Sequence, residues 1–329
     1  MNNLNELNVL IIGCGNIAGF LDMNRKVAAE PITHAGAFSL NPNFKVSGCM
    51  DSDPSKLEKF SEFWGIDNKY NSFEDIVISK QYYDVICICS PTDEHIKNIF
   101  ECLSLAPKLI FCEKPISNSL EEVIKINSAC KELGILLAVN YTRRWDEDII
   151  RLKSEIDSNS RGSIRSVVTY YNKGILNNGS HILDFLNFLI GDIKVKFVSD
   201  PIYDFFTSDP TVCVTLEGKS SIPILMVPAA NASDFSLLEM QIIFQKGMVS
   251  MLDGGLKWVE RDVEDSDIFE GYKTLNSGTE RKGKYLKSMS NAVDNIWRTL
   301  SQGDSLNSTA DTAIAAHNLC DIILQKKIN

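Results

Sequence analysis

Apolar runs recur along the first half of the chain, at residues 7–12, 44–50, 83–89, 109–112 and 135–139. They are rich in Val, Ile, Leu, Phe and Cys, and 83–89 has no polar alternation at all, the pattern of a strand covered on both faces. Between the runs, 54–64 carries helical periodicity, Thr92 can cap a helix reaching about 105, and Asn118 or Ser119 can open one over 120–133. Strands that alternate with helices predict parallel crossover units and an α/β domain.

Past Asn140-Tyr141 the pattern changes. A helix is expected over 145–156, a strand over 163–171 and a second helix over 180–189. Strand-like segments then follow at 195–198, 211–216, 222–227, 237–244 and 248–251 with no long helix between them, which fits an open, mainly antiparallel sheet. Helical periodicity returns at 286–300 and 311–323. The expectation is residues 1–140 as one domain and 141–329 as an α+β domain for substrate binding and oligomerisation, its last helix a candidate to pack back on the first.

Composition bounds the function. A chain of 329 residues with 44% hydrophobic and 23% charged residues is long enough for two ordinary globular domains. A formal charge of -10 argues against nonspecific binding to nucleic acid or an anionic membrane. The N-terminus has no secretory signal pattern and no stretch is apolar enough to span a bilayer, so a cytoplasmic location is expected. Nine cysteines, most in apolar segments, read as reduced thiols that behave as small hydrophobes. No second Cys or His pair follows Cys87 and Cys89 at zinc spacing, so no metal is expected.

The first strand ends in Gly13-Cys14-Gly15-Asn16-Ile17-Ala18-Gly19. Gly13 permits a tight turn, Gly15 lets the backbone approach a pyrophosphate, and Ala18 is small enough for helix–strand contact. Helix amides beyond the turn attract phosphate charge. Asp51 ends the second strand, where a carboxylate accepts ribose hydroxyls and repels a 2′-phosphate, favouring NAD over NADP. It lies 38 positions after Gly13, well beyond the usual interval of about 20, so residues 24–43 are expected to form a surface loop or a lip over the cofactor. Ser90-Pro91-Thr92 and Glu113-Lys114-Pro115 end the next two strands, on the same carboxyl edge where ligands bind in open α/β sheets.

Two side chains carry candidate chemistry. His181 follows Asn177-Asn178-Gly179-Ser180 at a helix start and can act as acid or base, or stand as a buried structural histidine; Asp184 is close enough on the helix to orient it. Lys114 precedes Pro115 on restricted backbone and can hydrogen-bond a reacting oxygen, or form a plain surface pair with Glu113. Arg143 and Arg144 can recognise a carboxylate or phosphate, or form a solvated basic turn. His34, His95 and His317 have weaker contexts, and His317 reads as structural.

Taken together, the chain resembles the glucose-fructose oxidoreductase/inositol dehydrogenase (Gfo/Idh/MocA) family. The resemblance is carried by Gly13-Cys14-Gly15-Asn16-Ile17-Ala18, Asp51, Cys89-Ser90-Pro91-Thr92 with His95, Glu113-Lys114-Pro115, Asn140-Tyr141-Thr142-Arg143-Arg144-Trp145 and Gly179-Ser180-His181-Ile182-Leu183-Asp184. It implies an N-terminal Rossmann domain, a second domain whose open sheet supports a homo-oligomer (dimer or tetramer), and reversible hydride transfer at a hydroxyl-bearing carbon of a sugar, polyol or nucleotide sugar. Lys114 and His181 then correspond to the catalytic lysine and histidine. Gly13, Gly15, Asn16, Ile17, Ala18, Asp51, Ser90, Pro91, Thr92, His95, Glu113 and Lys114 fall to the cofactor; Tyr141, Arg143, Arg144, Asn177 and Asp184 fall to the substrate.

One position departs from the family. Many of its dehydrogenases place an aspartate four residues before the histidine, where this chain has Asn177, which hydrogen-bonds but takes no proton. Three readings follow: chemistry centred on Lys114 and His181, replacement by another carboxylate such as Asp184, or loss of ordinary turnover in a catalytically weak NAD-binding regulatory or scaffold protein. A non-carbohydrate carbonyl or imine substrate is a further alternative.

Overall fold

The computed structural model describes residues 6–25, 30–229 and 232–326. The chain forms two compact units, Met1–Trp145 with Leu286–Ile314, and Asp146–Tyr285 with Ala315–Asn329.

The first unit is built on six parallel strands: β1 (Leu7–Ile12), β2 (Phe44–Met50), β3 (Asn68–Tyr70), β4 (Val85–Ile88), β5 (Leu109–Cys112) and β6 (Leu136–Val139). Their order, β3-β2-β1-β4-β5-β6, is that of the doubly wound dinucleotide-binding fold. Ile11, Cys87 and Phe111 at the sheet centre are fully buried, as runs without polar alternation require. The crossovers are α1 (Leu21–Met23), α2 (His34–Leu40), α3 (Pro54–Trp64), α4 (Phe73–Ser79), α5 (Thr92–Leu103) and α6 (Leu120–Glu132). Local chemistry sets their ends. Asp53 accepts the Ser55 and Lys56 amides ahead of Pro54, α3 stops at Gly65 with φ 65°, and Ser72 and Asp75 form a reciprocal capping box on α4.

Residues 34–40 correct the expected loop or lip. His34, Ala35, Gly36, Ala37 and Phe38 are all buried, so this part of the excursion is a core helix capped by Thr33. A second departure lies at the chain's far end. Helix α9 (Ser288–Gln302) places Met289, Ala292, Val293 and Ile296, at helical spacing, in the same core as Phe38 and Trp145. Trp145 Nε1 donates to Asn295 Oδ1 at 2.9 Å. The first unit therefore draws on residues well beyond 140.

The second unit contains α7 (Glu147–Asp157), β7 (Ile164–Tyr171), α8 (Ser180–Ile190), β8 (Lys194–Val198), β9 (Val214–Gly218), β10 (Ile222–Pro228), β11 (Leu238–Phe244), β12 (Gly247–Leu252), β13 (Lys257–Asp265), β14 (Lys273–Leu275) and β15 (Thr279–Lys282). The last helix, α10 (Ala310–Lys326), starts in the first unit and continues into the second. The sheet runs β14-β13-β12-β11-β7-β10-β9-β8 with β15 on β13. Among the described residues only β7 and β10 pair in parallel; the other neighbours are antiparallel. One face buries Val167, Ile224, Met226, Met240 and Ile242 against the α8 residues Ile182, Leu183, Leu186 and Leu189. On the opposite face Tyr170, Leu225 and Ile243 remain exposed, which makes this an open sheet. No helix among the described residues is long and apolar enough to cross a membrane.

Candidate active site

At the carboxyl edge of the parallel sheet, Gly13 has φ +89°, and an added Cβ would stand 2.5 Å from the Ser90 amide nitrogen. Any side chain there would push the ends of β1 and β4 apart. Gly15 has the opposite surroundings: its missing Cβ would meet nothing within 4 Å, leaving the turn's backbone open to a ligand. Asn16 is exposed, Ile17 half-buried and Ala18 buried. The turn then tightens through the amides of Gly19 and Phe20, which both donate to Gly15 O, at 3.1 and 3.2 Å.

Asp51 braces this turn from the neighbouring strand. Its Oδ2 accepts the Cys14 amide at 2.8 Å and its Oδ1 the Asp53 amide at 2.9 Å. Each carboxylate oxygen keeps a second lone pair for a hydroxyl donor. Gly13, Asp51, Ser90 and Pro91 line a cavity of about 570 Å³ together with Ser52, Asn71, Glu74 and Lys97. Its charged lining is acidic, with Asp51, Glu74, Glu94 and Glu101 against the single cation Lys97 among the described residues. The open turn, the carboxylate at the end of β2 and the size of the cavity fit a dinucleotide.

Not every expected cofactor residue faces that cavity. Thr92 lies outside it, along a separate cavity with Asp93, Ser117 and Glu122. His95 is corrected more firmly: it is 1% exposed, and its Nδ1 and Nε2 each lie 2.8 Å from a carbonyl oxygen, of Pro115 and Ser90 respectively. With both ring nitrogens engaged, it fastens the ends of β4 and β5 from below instead of meeting a ligand. At a helix start, periodicity looks the same whether an imidazole faces a cofactor or a carbonyl.

Lys114 is half-buried and joined to Pro115 by a cis peptide. Glu113 beside it is held by two side chains distant in sequence. Its Oε1 lies 2.8 Å from His34 Nε2 on α2 and accepts from Asn140 Nδ2 at 2.6 Å. Burial alone would raise its pKa, but the hydrogen bonds from His34 and Asn140 and the nearby Lys114 charge hold the carboxyl below its ordinary range. His34 and Asn140 were not assigned to the site from sequence. The Asn140-Tyr141 signal was present; the buried face of 34–40 was hidden within an apparent excursion.

In the second unit a π-helical turn, Gly174–Gly179, runs directly into α8, so His181 stands in its first turn and is partly exposed. Asp209, 7% exposed, secures the turn: Oδ1 accepts the Leu176 amide and Oδ2 the Asn177 amide, at 2.9 and 2.8 Å. Sequence reasoning missed Asp209, because 32 residues separate it from Asn177 and no short motif joins them. Asp184 is 1% exposed, on the buried side of α8. Tyr141, Arg143 and Arg144 are buried at 3, 6 and 6% exposure, which rules out the solvated basic turn. Arg144 Nη1 reaches Asn307 O at 3.4 Å, and Asn307 Nδ2 donates to Arg144 O at 3.3 Å.

Comparison with known proteins agrees with this architecture. Residues 7–141 match a family model described as an oxidoreductase family with an NAD-binding Rossmann fold. An uncharacterized oxidoreductase of Bacillus subtilis, YrbE, is 30% identical over 130 residues, 40% of this chain and 38% of that protein. A myo-inositol 2-dehydrogenase of Thermotoga maritima is 25% identical over 152 residues, 46% of this chain and 41% of that one. The matched stretch thus spans about two fifths of either relative. Among solved structures, an Agrobacterium radiobacter oxidoreductase in complex with NAD+, L-tartaric acid and magnesium shares the fold over 99% of this chain and 97% of its own, with a TM-score of 0.77 at 16% identity.

Proposed function

The chain belongs to the Gfo/Idh/MocA oxidoreductase family, and on that premise we propose that it transfers hydride between NAD and a hydroxyl-bearing carbon of a sugar, polyol or nucleotide sugar. The observation that carries the reading is the open glycine turn braced by Asp51 beside an acidic cavity, with Lys114 following β5, two strands along the sheet from β1. Four carboxylates against one lysine favour a ribose with free hydroxyls over one carrying a 2′-phosphate, hence NAD over NADP.

Bound nicotinamide would supply the hydride acceptor or donor. The chain's own residues would do the rest. Lys114 would donate a hydrogen bond to the reacting oxygen and stabilise the negative charge that develops there. His181 would take the hydroxyl proton on a ring nitrogen in oxidation and return it in reduction. Asn177 would hold a substrate hydroxyl without taking its proton, and Tyr141, Arg143 and Arg144 would belong to the proposed substrate group, whereas Asp184, 1% exposed on the buried side of α8, would orient His181 instead of touching substrate. The exposed Tyr170, Leu225 and Ile243 support reading the open sheet face as a surface for self-association in a cytoplasmic homo-oligomer.

A second reading, an NAD-binding regulatory or scaffold protein with little turnover, is favoured by Asn177 where a carboxylate is usual. One experiment separates the two. The purified protein is mixed with NAD or NADP and a panel of sugars, polyols and nucleotide sugars, and reduced-cofactor absorbance is followed. Turnover of at least one substrate, faster with NAD, is expected. Tight NADH binding with no turnover across the panel would reject the enzyme reading in favour of the regulatory one.

A further inference from the structure

Five consecutive amides lead into the turn that carries Asn177, and one loop holds all five. Lys173 N donates to Asp204 Oδ2 at 2.9 Å, Gly174 N to Thr211 Oγ1 at 2.8 Å and Ile175 N to the Pro210 carbonyl at 3.0 Å, while Leu176 N and Asn177 N take the two Asp209 oxygens. Thr211 Oγ1 also donates to Asp204 Oδ1 at 2.6 Å, so the loop is cross-braced. It joins β8 to β9 at the end of the sheet where β7 runs out, since Val214 pairs with Met226 and Met226 with Thr169. Asp204 and Asp209 thus turn inward, onto the turn. The outward side is aromatic: Tyr203, Phe205 and Phe206 are 56, 54 and 40% exposed. The Phe205 and Phe206 rings meet edge to face with centroids 4.6 Å apart, and Lys173 Nζ stands 5.2 Å from the Phe205 centroid. Large rings held in solvent by a braced loop, with a cation among them, have the form of a binding ledge.

We propose that Tyr203, Phe205 and Phe206, with Lys173, receive the nucleoside diphosphate end of the substrate, so that the chain acts on a nucleotide sugar and not on a free sugar or polyol. The inference rests on the hydride-transfer reading, in which the reacting carbon lies at His181. A nucleobase offers a flat π face that stacks on aromatic rings, and a diphosphate offers the charge that a lysine ammonium meets. Free polyols have neither. Length points the same way: the eight positions from Lys173 to His181 rise on the order of 10 Å along helical chain, a span that a sugar diphosphate covers and a single pyranose ring does not. Exposed rings also serve self-association, but the ammonium beside Phe205 favours an occupant that carries phosphate. These residues touch no reacting atom; they determine which substrate is held.

The test titrates the full-length protein, saturated with NADH to fill the cofactor cavity, with UDP, TDP, GDP, CDP and ADP in a calorimeter. Pyrophosphate and uridine serve as partial probes. At least one nucleoside diphosphate should bind with Kd below about 1 mM and more tightly than either partial probe. The double variant Phe205→Ala/Phe206→Ala should weaken that binding at least about fivefold, the loss of one stacked base, and Lys173→Gln at least about threefold, with NADH affinity within about twofold in both. No binding by any of the five, or equal affinity in the wild type and the double variant, would overturn the proposal. So would a double variant whose oligomer dissociates in sedimentation while its nucleotide affinity holds, which would make the ledge a subunit contact. Turnover of a free sugar or polyol with kcat/KM unchanged in the double variant would leave hydride transfer standing and remove the ledge from the substrate site. Nucleoside diphosphate binding at the ledge with no turnover across the panel would reject hydride transfer instead.

Discussion

The Cys14 amide donates to Asp51 Oδ2 at 2.8 Å, so the carboxylate that ends β2 also shapes the glycine turn that ends β1. Replacing Asp51 therefore removes a ligand contact and a brace together. Asp51→Ala should weaken NADH binding by roughly ten- to a hundredfold, the worth of a charge-assisted hydrogen bond, and raise the NADP:NAD preference. Asp51→Asn keeps an oxygen for Cys14 and should lose less. Fluorescence titration with both cofactors checks this; identical affinities in the wild type and Asp51→Ala would remove Asp51 from the cofactor site.

Lys114 should separate from Asp51 in its effects. Lys114→Ala is expected to lower kcat by about a hundred- to a thousandfold, as for loss of an oxyanion donor, with NADH affinity nearly unchanged. Steady-state kinetics on a panel substrate and a binding titration measure the two separately. A fall in affinity matching the fall in kcat would contradict this division.

Gly174 has φ +83°, and an added Cβ would collide with the Asp209 side chain and stand 2.8 Å from its carbonyl oxygen. Gly174→Ala should cost about 1–3 kcal/mol from backbone strain before the collision is counted. Urea unfolding gives the number. Asp209→Ala, which frees the Leu176 and Asn177 amides, should also lower the midpoint, and a wild-type midpoint in both variants would show that the turn tolerates either loss.

Acid should weaken the second unit through Glu260. Burial disfavours its charge, but Arg151, Arg281 and Arg161 surround the carboxylate and lower its pKa from 4.5 to about 2. A depressed carboxylate stabilises the fold fully above the unfolded value near 4.5 and loses that contribution as pH falls through about 2. The loss is roughly 3 kcal/mol at most. Urea midpoints measured between these pH values should fall in the wild type and change less in Glu260→Gln; parallel curves would place the acid-sensitive group elsewhere.

Elements whose burial is written in consecutive residues were legible in sequence. The strands ending at Gly13, Ser90 and Glu113 are apolar on both faces, and the edge they share follows from strand–helix alternation. What escaped depends on distant partners or short segments. Strand β3 has three residues and α4 seven, too few for a period, although the Ser72/Asp75 capping box marks the helix start. Strand β13, reading KWVERDVED, is charged enough to pass for a surface loop until Glu260 is seen among its arginines. The contacts His34–Glu113 and Asp209–Asn177 join residues 79 and 32 positions apart, where no local pattern can register them.

The nine thiols make the folded state chemically quiet. All are unpaired, eight are buried, and burial pushes those of Cys87, Cys89, Cys112 and Cys320 well above the ordinary thiol range. Cys213 alone is partly exposed. A thiol reagent therefore finds at most one ready target on an intact molecule and nine on an unfolded one. The count of reacted sulfurs against time becomes a clock for opening of the cores of both units, carried by the chain without any added label.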